Sequence, residues 1–132
     1  MRIFVDTGAW YSLFAQRDVN HHNAQEWLKH NRSLLLTTDY ILDELLTLLM
    51  VRENTQLAIK AGKTIWTHPK LQIEHVTSAD VEQAWQVFQK YQDKGWSFTD
   101  CTSNVIIDRL NITHAFAFDK HFEQFGLVVR VP

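Results

Sequence analysis

The stretch IFVDTGAW, residues 3–10, decides the fold. Ile3, Phe4 and Val5 form an uninterrupted apolar run, the mark of a short strand covered on both faces, and Asp6 ends it. Gly8 then loosens the backbone before Ala9 to Ala15, which reads as a helix. A buried strand that passes within a few residues into a helix is the opening unit of an alternating α/β fold.

The rest of the chain continues that alternation. Asn20 is placed to cap a helix running to His30, with Ala24, Trp27 and Leu28 at helical spacing. Leu34 to Leu36 is the next strand, Thr38 or Asp39 caps a helix through about Glu53, and Asn54 restarts helical pattern towards Trp66 before the loop at Pro69. Leu71, Ile73 and His75 alternate as in a strand. From Ser78 an amphipathic helix carries Val81, Ala84, Trp85, Val87, Phe88 and Tyr91 until Gly95 ends it. Thr99 is the expected N-cap of a helix bearing Val105, Ile106, Ile107 and Leu110, and His114 to Phe118 and Leu127 to Val129 are the last two strands. Strands separated by helices require right-handed crossovers, so the expected architecture is α/β: a mainly parallel central sheet flanked by helices in three layers.

Composition sets the outer bounds. A length of 132 residues with 45% hydrophobic content fits one domain over 1–132, and no repeat or linker divides it. The longest apolar stretch, Ile41 to Val51, is interrupted by Asp43, Glu44 and Thr47, so no membrane span is expected. Met1-Arg2 leads straight into a strand without a secretory signal, and a single cysteine, Cys101, excludes an intramolecular disulfide. Both point to a reducing, cytoplasmic setting, with Cys101 packed as a small hydrophobe. The net charge of −2 argues against a strongly basic nucleic-acid binder.

Four acids stand in positions that an α/β fold would bring to one edge of the sheet. Asp6 and Asp119 follow strands, Asp100 falls in the first turn of a helix where free N–H groups favour an anion, and a fourth lies within the helix around LDELLTLL. On a helical wheel Glu44 falls between Leu48 and Val51, and Asp43 towards Thr47 and Met50, which favours Glu44 narrowly without settling the choice. Any one of these acids alone is ordinarily a cap or turn residue. Four together cannot all stay ionised without a compensating cation, and hard divalent ions take oxygen ligands. The chemistry this suggests is metal-assisted phosphodiester hydrolysis with Mg²⁺ or Mn²⁺.

FVDTGAW at 4–10, DELLTLL at 43–49, SFTDC at 97–101 and AFAFDKHFEQFG at 115–126 together resemble, in order and spacing, the motifs of the PIN-domain nucleases of VapC-type toxins. The resemblance covers nearly the whole chain. It implies a PIN-like sandwich, metal-binding and catalytic roles for Asp6, Glu44, Asp100 and Asp119, and hydroxyl positions at Thr7 and Thr99. It also implies a Mg²⁺- or Mn²⁺-dependent endoribonuclease acting on RNA, with a cognate antitoxin as partner. Gly8 departs from the pattern, where the family often has Ser or Asn, and so does Asn104, where many relatives are apolar. The five Trp and eight Phe leave aromatic residues to line a homodimer or antitoxin surface.

Arg17, Lys120 and His121 are candidate phosphate contacts in this reading, with a structural role for His121 as the alternative. Two other function classes compete with it. A PIN-fold RNA- or protein-binding module without catalytic activity would not need the acids intact. A phosphatase with Asp6 as nucleophile would want a second Asp two residues on, where Gly8 stands.

Overall fold

All 132 residues, Met1–Pro132, are described by the computed structural model. Five strands, β1 (Arg2–Val5), β2 (Leu34–Thr38), β3 (Leu71–Glu74), β4 (His114–Phe116) and β5 (Val129–Val131), form one sheet in the order β3-β2-β1-β4-β5. Every neighbouring pair is parallel, with Ile3 opposite Leu35 on one side and opposite His114 on the other. An all-parallel sheet must be covered on both faces, because each connection is a helical crossover.

The connections are α1 (Thr7–Phe14) and α2 (His21–His30) from β1 to β2, and α3 (Asp39–Arg52) and α4 (Thr55–Trp66) from β2 to β3. Next come α5 (Ser78–Lys90) and α6 (Phe98–Arg109) from β3 to β4, and α7 (His121–Gln124) from β4 to β5. The first two crossovers step one way along the sheet and the last two the other way, so right-handedness puts α1–α4 on one face and α5–α7 on the opposite one. Alternate side chains record this division. Phe116 packs on Trp27 of α2 at 4.1 Å between ring centroids, and Phe4 on Phe122 of α7 at 6.0 Å. The main core runs through both faces, from Phe4, Val5 and Leu36 to Ile41, Leu45, Ile106 and Phe122.

Several boundaries differ from the sequence reading. α1 begins at Thr7 rather than Ala9, so the helix starts directly after Asp6. Asn20 precedes α2 but makes no side-chain cap; Asp18 accepts the Asn20 N–H instead, at 3.0 Å. α5 stops at Lys90, and a 3₁₀ turn over Gln92–Lys94 separates it from Gly95, whose φ of 70° is a left-handed conformation suited to glycine. The N-cap of α6 is Ser97, not Thr99: the Ser97 hydroxyl accepts the Asp100 N–H and Asp100 accepts the Ser97 N–H, a reciprocal box that Thr99 cannot make. β4 ends at Phe116, and β5 lies at Val129–Val131 rather than Leu127–Val129, because pairing to β4 sets its register. No helix is long and apolar enough to cross a membrane.

Candidate functional site

β1 and β4 are adjacent, but their outgoing connections leave to opposite faces. This is the switch point of the sheet, where a crevice opens beyond the carboxyl ends of the strands. Asp6 ends β1 there, its N–H donating to the Phe116 carbonyl of β4 at 3.1 Å. Asp119 follows three residues beyond the end of β4. The expected edge therefore exists, and Asp6 and Asp119 are on its two sides.

Asp6 is 6% exposed and makes no side-chain cap to α1. Burial, and then the nearby charges of Asp100, Glu44 and Asp119, push its carboxyl up to about 8, against a backbone hydrogen bond from Thr7 that acts the other way. All three other predicted acids therefore act on Asp6. The Thr7 hydroxyl beside it is buried without a hydrogen-bond partner.

Asp100 is held at N3 of α6 by its box with Ser97, and its Oδ2 also lies 3.0 Å from Nδ1 of His121. The same Nδ1 is 3.3 Å from Asp119 Oδ2, and the His121 N–H donates to Asp119 Oδ1 at 2.9 Å. His121 thus braces Asp100 against Asp119. The half-exposed Asp119 gains a fixed position from a residue two places along the chain.

Glu44 is half-buried on α3, and Asp43 is exposed. The Glu44 charge is among those that act on Asp6. A cleft between α3 and the start of α6 is lined by Asp43 and Glu44, by Leu48 and by Thr99. As the side chains stand, no three carboxylate, imidazole or thiol groups close on one point. The acids share a field without forming a finished coordination sphere.

A hard divalent cation fits these residues on two grounds. The donor set is all oxygen, and burial and the neighbouring acids push the Asp6 carboxyl well above its ordinary value, which a bound cation would offset. Cys101 lies buried behind Asp100, and burial with the Asp100 charge pushes its thiol up to about 11, so it packs as a hydrophobe and is no nucleophile. Asn104, one turn after Asp100 on α6, is half-buried and lines a pocket with Tyr91, Trp96 and Phe125. Arg17 and Lys120 are exposed.

The family model for the PIN domain matches residues 3–127. The chain is 32% identical over 126 residues to the 23S rRNA-specific endonuclease VapC20 of Mycobacterium tuberculosis, covering 96% of this chain and 95% of that protein. It is 27% identical over 130 residues to a VapC ribonuclease of Archaeoglobus fulgidus, covering 92% and 80%. The crystal structure of M. tuberculosis VapC20, described as a sarcin-ricin loop cleaving toxin, superposes with a TM-score of 0.90 over 96% of each chain. VapBC2 of Rickettsia felis, solved on a promoter DNA fragment, shares the fold with a TM-score of 0.69 at 12% identity.

Proposed function

Because the chain belongs to the PIN-domain family, we propose that it is a divalent-metal-dependent endoribonuclease of the VapC type, the toxin of a toxin–antitoxin pair. One observation carries the metal dependence: a buried Asp6 whose carboxyl is pushed up to about 8 by burial and by three further acids drawn from separate parts of the chain. Such a carboxyl is costly to ionise and has no basic side chain to compensate it.

Asp6, Glu44, Asp100 and Asp119 are the residues we assign to hold Mg²⁺ or Mn²⁺. When bound, such an ion would polarise a phosphodiester and lower the pKa of a water molecule towards neutrality. Such a cation would also supply the compensating charge that lets the buried Asp6 ionise. Ser97 and the first turn of α6 hold Asp100 in place, and His121 sets the separation of Asp100 from Asp119. The Thr7 hydroxyl, otherwise orphaned, is left to orient a water or a phosphate oxygen beside Asp6.

Partner surfaces follow from the same reading. An apolar groove of about 560 Å³ between α3 and α4, with Met50, Ile59 and Trp66 exposed along it, suits an amphipathic segment of an antitoxin. The exposed Trp85 and Phe88 of α5 offer an apolar contact to a second copy of the chain. The test of the activity is RNA cleavage by purified protein, with ribosomal RNA as the first substrate because of the specificity named for the mycobacterial relative. Cleavage should require Mg²⁺ or Mn²⁺ and stop in EDTA; undiminished cleavage in chelator would exclude the mechanism.

A further inference from the structure

The face of the sheet that carries α1–α4 is covered unevenly. Those helices connect β1, β2 and β3, so the β4–β5 half has no crossover of its own on that face, and only α2 reaches over it through Trp27 on Phe116. A groove of about 870 Å³ remains along α2, lined by Trp27 and Phe118 and by the polar side chains of Asn20, Asn23, His30 and Arg32. Phe118 directly precedes Asp119 at the carboxyl edge of the sheet, and Arg32 stands just before β2 at the amino edge, so the groove runs along α2 away from the acid-bearing edge.

The lining has unspent recognition capacity. Trp27 is half-buried, and its indole N–H donates to no protein group, whereas those of Trp10 and Trp96 are satisfied by Thr37 and Gln124. The Asn20 side chain makes no cap to α2, and Asn23 is exposed. His30 spends Nδ1 on the Glu26 carbonyl and keeps Nε2, and Arg32 spends only Nη1, on the carbonyls of Lys29 and Asn31. Glu26 is the one carboxylate of the lining.

Two aromatic side chains, free amides and a cation along a groove leading from a phosphodiester-cleaving site are the parts a single-stranded RNA binds: stacking for bases, amides for base edges, and guanidinium for phosphate. We propose that this groove takes the RNA strand flanking the scissile bond, with one base on the Trp27–Phe118 platform and a phosphate on Arg32. The assignment rests on the endoribonuclease reading above. It places part of substrate selection in α2, outside the acid cluster.

The experiment measures binding of a short, fluorescently labelled single-stranded RNA across a range of salt, and Mn²⁺-dependent cleavage of the same RNA, for wild type, Trp27→Leu and Arg32→Glu. Loss of a stacking platform should weaken binding about tenfold with the salt slope unchanged. Arg32→Glu should weaken it comparably and flatten the slope by about 0.7, one phosphate contact on a single strand. Arg32 is exposed, so its variant folds and carries the test even if Trp27→Leu is destabilised. If wild type cleaves with Mn²⁺ and Arg32→Glu binds as tightly with the same salt slope, the groove serves something other than RNA and the proposal falls. A wild type that cleaves no RNA would instead remove the nuclease reading, and the occupant of the groove with it.

Discussion

α5 and α6 begin with the same device and use it for opposite ends. Thr77 and Asp80 form a reciprocal capping box at the start of α5, as Ser97 and Asp100 do at the start of α6, with each hydrogen bond at 3.0–3.1 Å. What differs is the far side of each carboxylate. Asp80 meets Arg109, whose Nε and Nη2 reach its two oxygens at 3.0 and 2.9 Å, with Glu74 sharing the guanidinium. Burial alone would raise Asp80, but hydrogen bonds from Thr77 and Arg109 outweigh it and hold the carboxyl below its usual range. Asp100 meets acids. Its only basic neighbour is His121, and its charge helps to push Asp6 up. The same local device therefore gives one acid paired with a base and one acid that faces other acids, and the partner contributed by a distant element makes the difference.

The largest expected effect breaks this symmetry through activity. Asp100→Asn should reduce RNA turnover by at least about a hundredfold, because a ligand charge is lost. Its melting temperature should stay within a few degrees of wild type, since lost capping and relieved repulsion oppose each other. Asp80→Asn should do the reverse, lowering the melting temperature with turnover nearly intact. Parallel melts and cleavage assays check the pair, and equal loss of turnover in both variants would show that the acids are not distinct in role.

A smaller effect concerns stability alone. Arg109→Met leaves Asp80 buried with only its capping bonds, at a cost of about 2–3 kcal/mol, or on the order of 10 °C in melting temperature. The cost also depends on pH. Because the paired Asp80 is held low, its contribution is present above the unfolded value near 4 and is lost as pH falls through the folded one, so the variant should show a shallower acid-side decline. The stabilisation given by Mn²⁺ should be unchanged, since Arg109 touches none of the acids in the cluster.

The parts of this fold that were legible in sequence are those set by local chemistry. Apolar runs identified β1 and β4, and helical spacing with Thr38 and Asn54 placed α3 and α4 within a residue or two, while Ser78 gave the start of α5 but not its end. Asp6 and Asp119 were legible as residues of the carboxyl edge of the sheet because they follow buried strands. Ser97 was within reach, since Ser-x-x-Asp is a capping-box spacing and Thr99 has Thr102 at the corresponding place. The register of β5 was not legible, because Leu127, Val128 and Val129 are as apolar as the strand itself and only pairing with β4 selects Val129–Val131. Nor were the Arg109–Asp80 pair, 29 residues apart, and the groove along α2. Both depend on which elements the crossovers bring together, which no local pattern encodes.

The central claim is that Asp6 is an acid kept protonated by burial and by the neighbouring acids until a cation replaces the proton. With the folded carboxyl at about 8 against an ordinary value of 3.8, the folded state holds the extra proton between those limits. The apo-protein should therefore lose stability as pH rises from about 4 to about 8, by at most about 1.4 kcal/mol per pH unit from this group. The penalty then remains above that range. Thermal melts of wild type and Asp6→Asn near pH 7.5, in EDTA and in Mn²⁺, test this most directly. Wild type should gain on the order of 2.7 kcal/mol at Mn²⁺ a hundredfold above its dissociation constant. Asp6→Asn should melt higher than wild type in EDTA, show a flatter pH dependence and gain little from the metal. An Asp6→Asn protein that melts lower in EDTA and gains as much from Mn²⁺ as wild type would contradict the account.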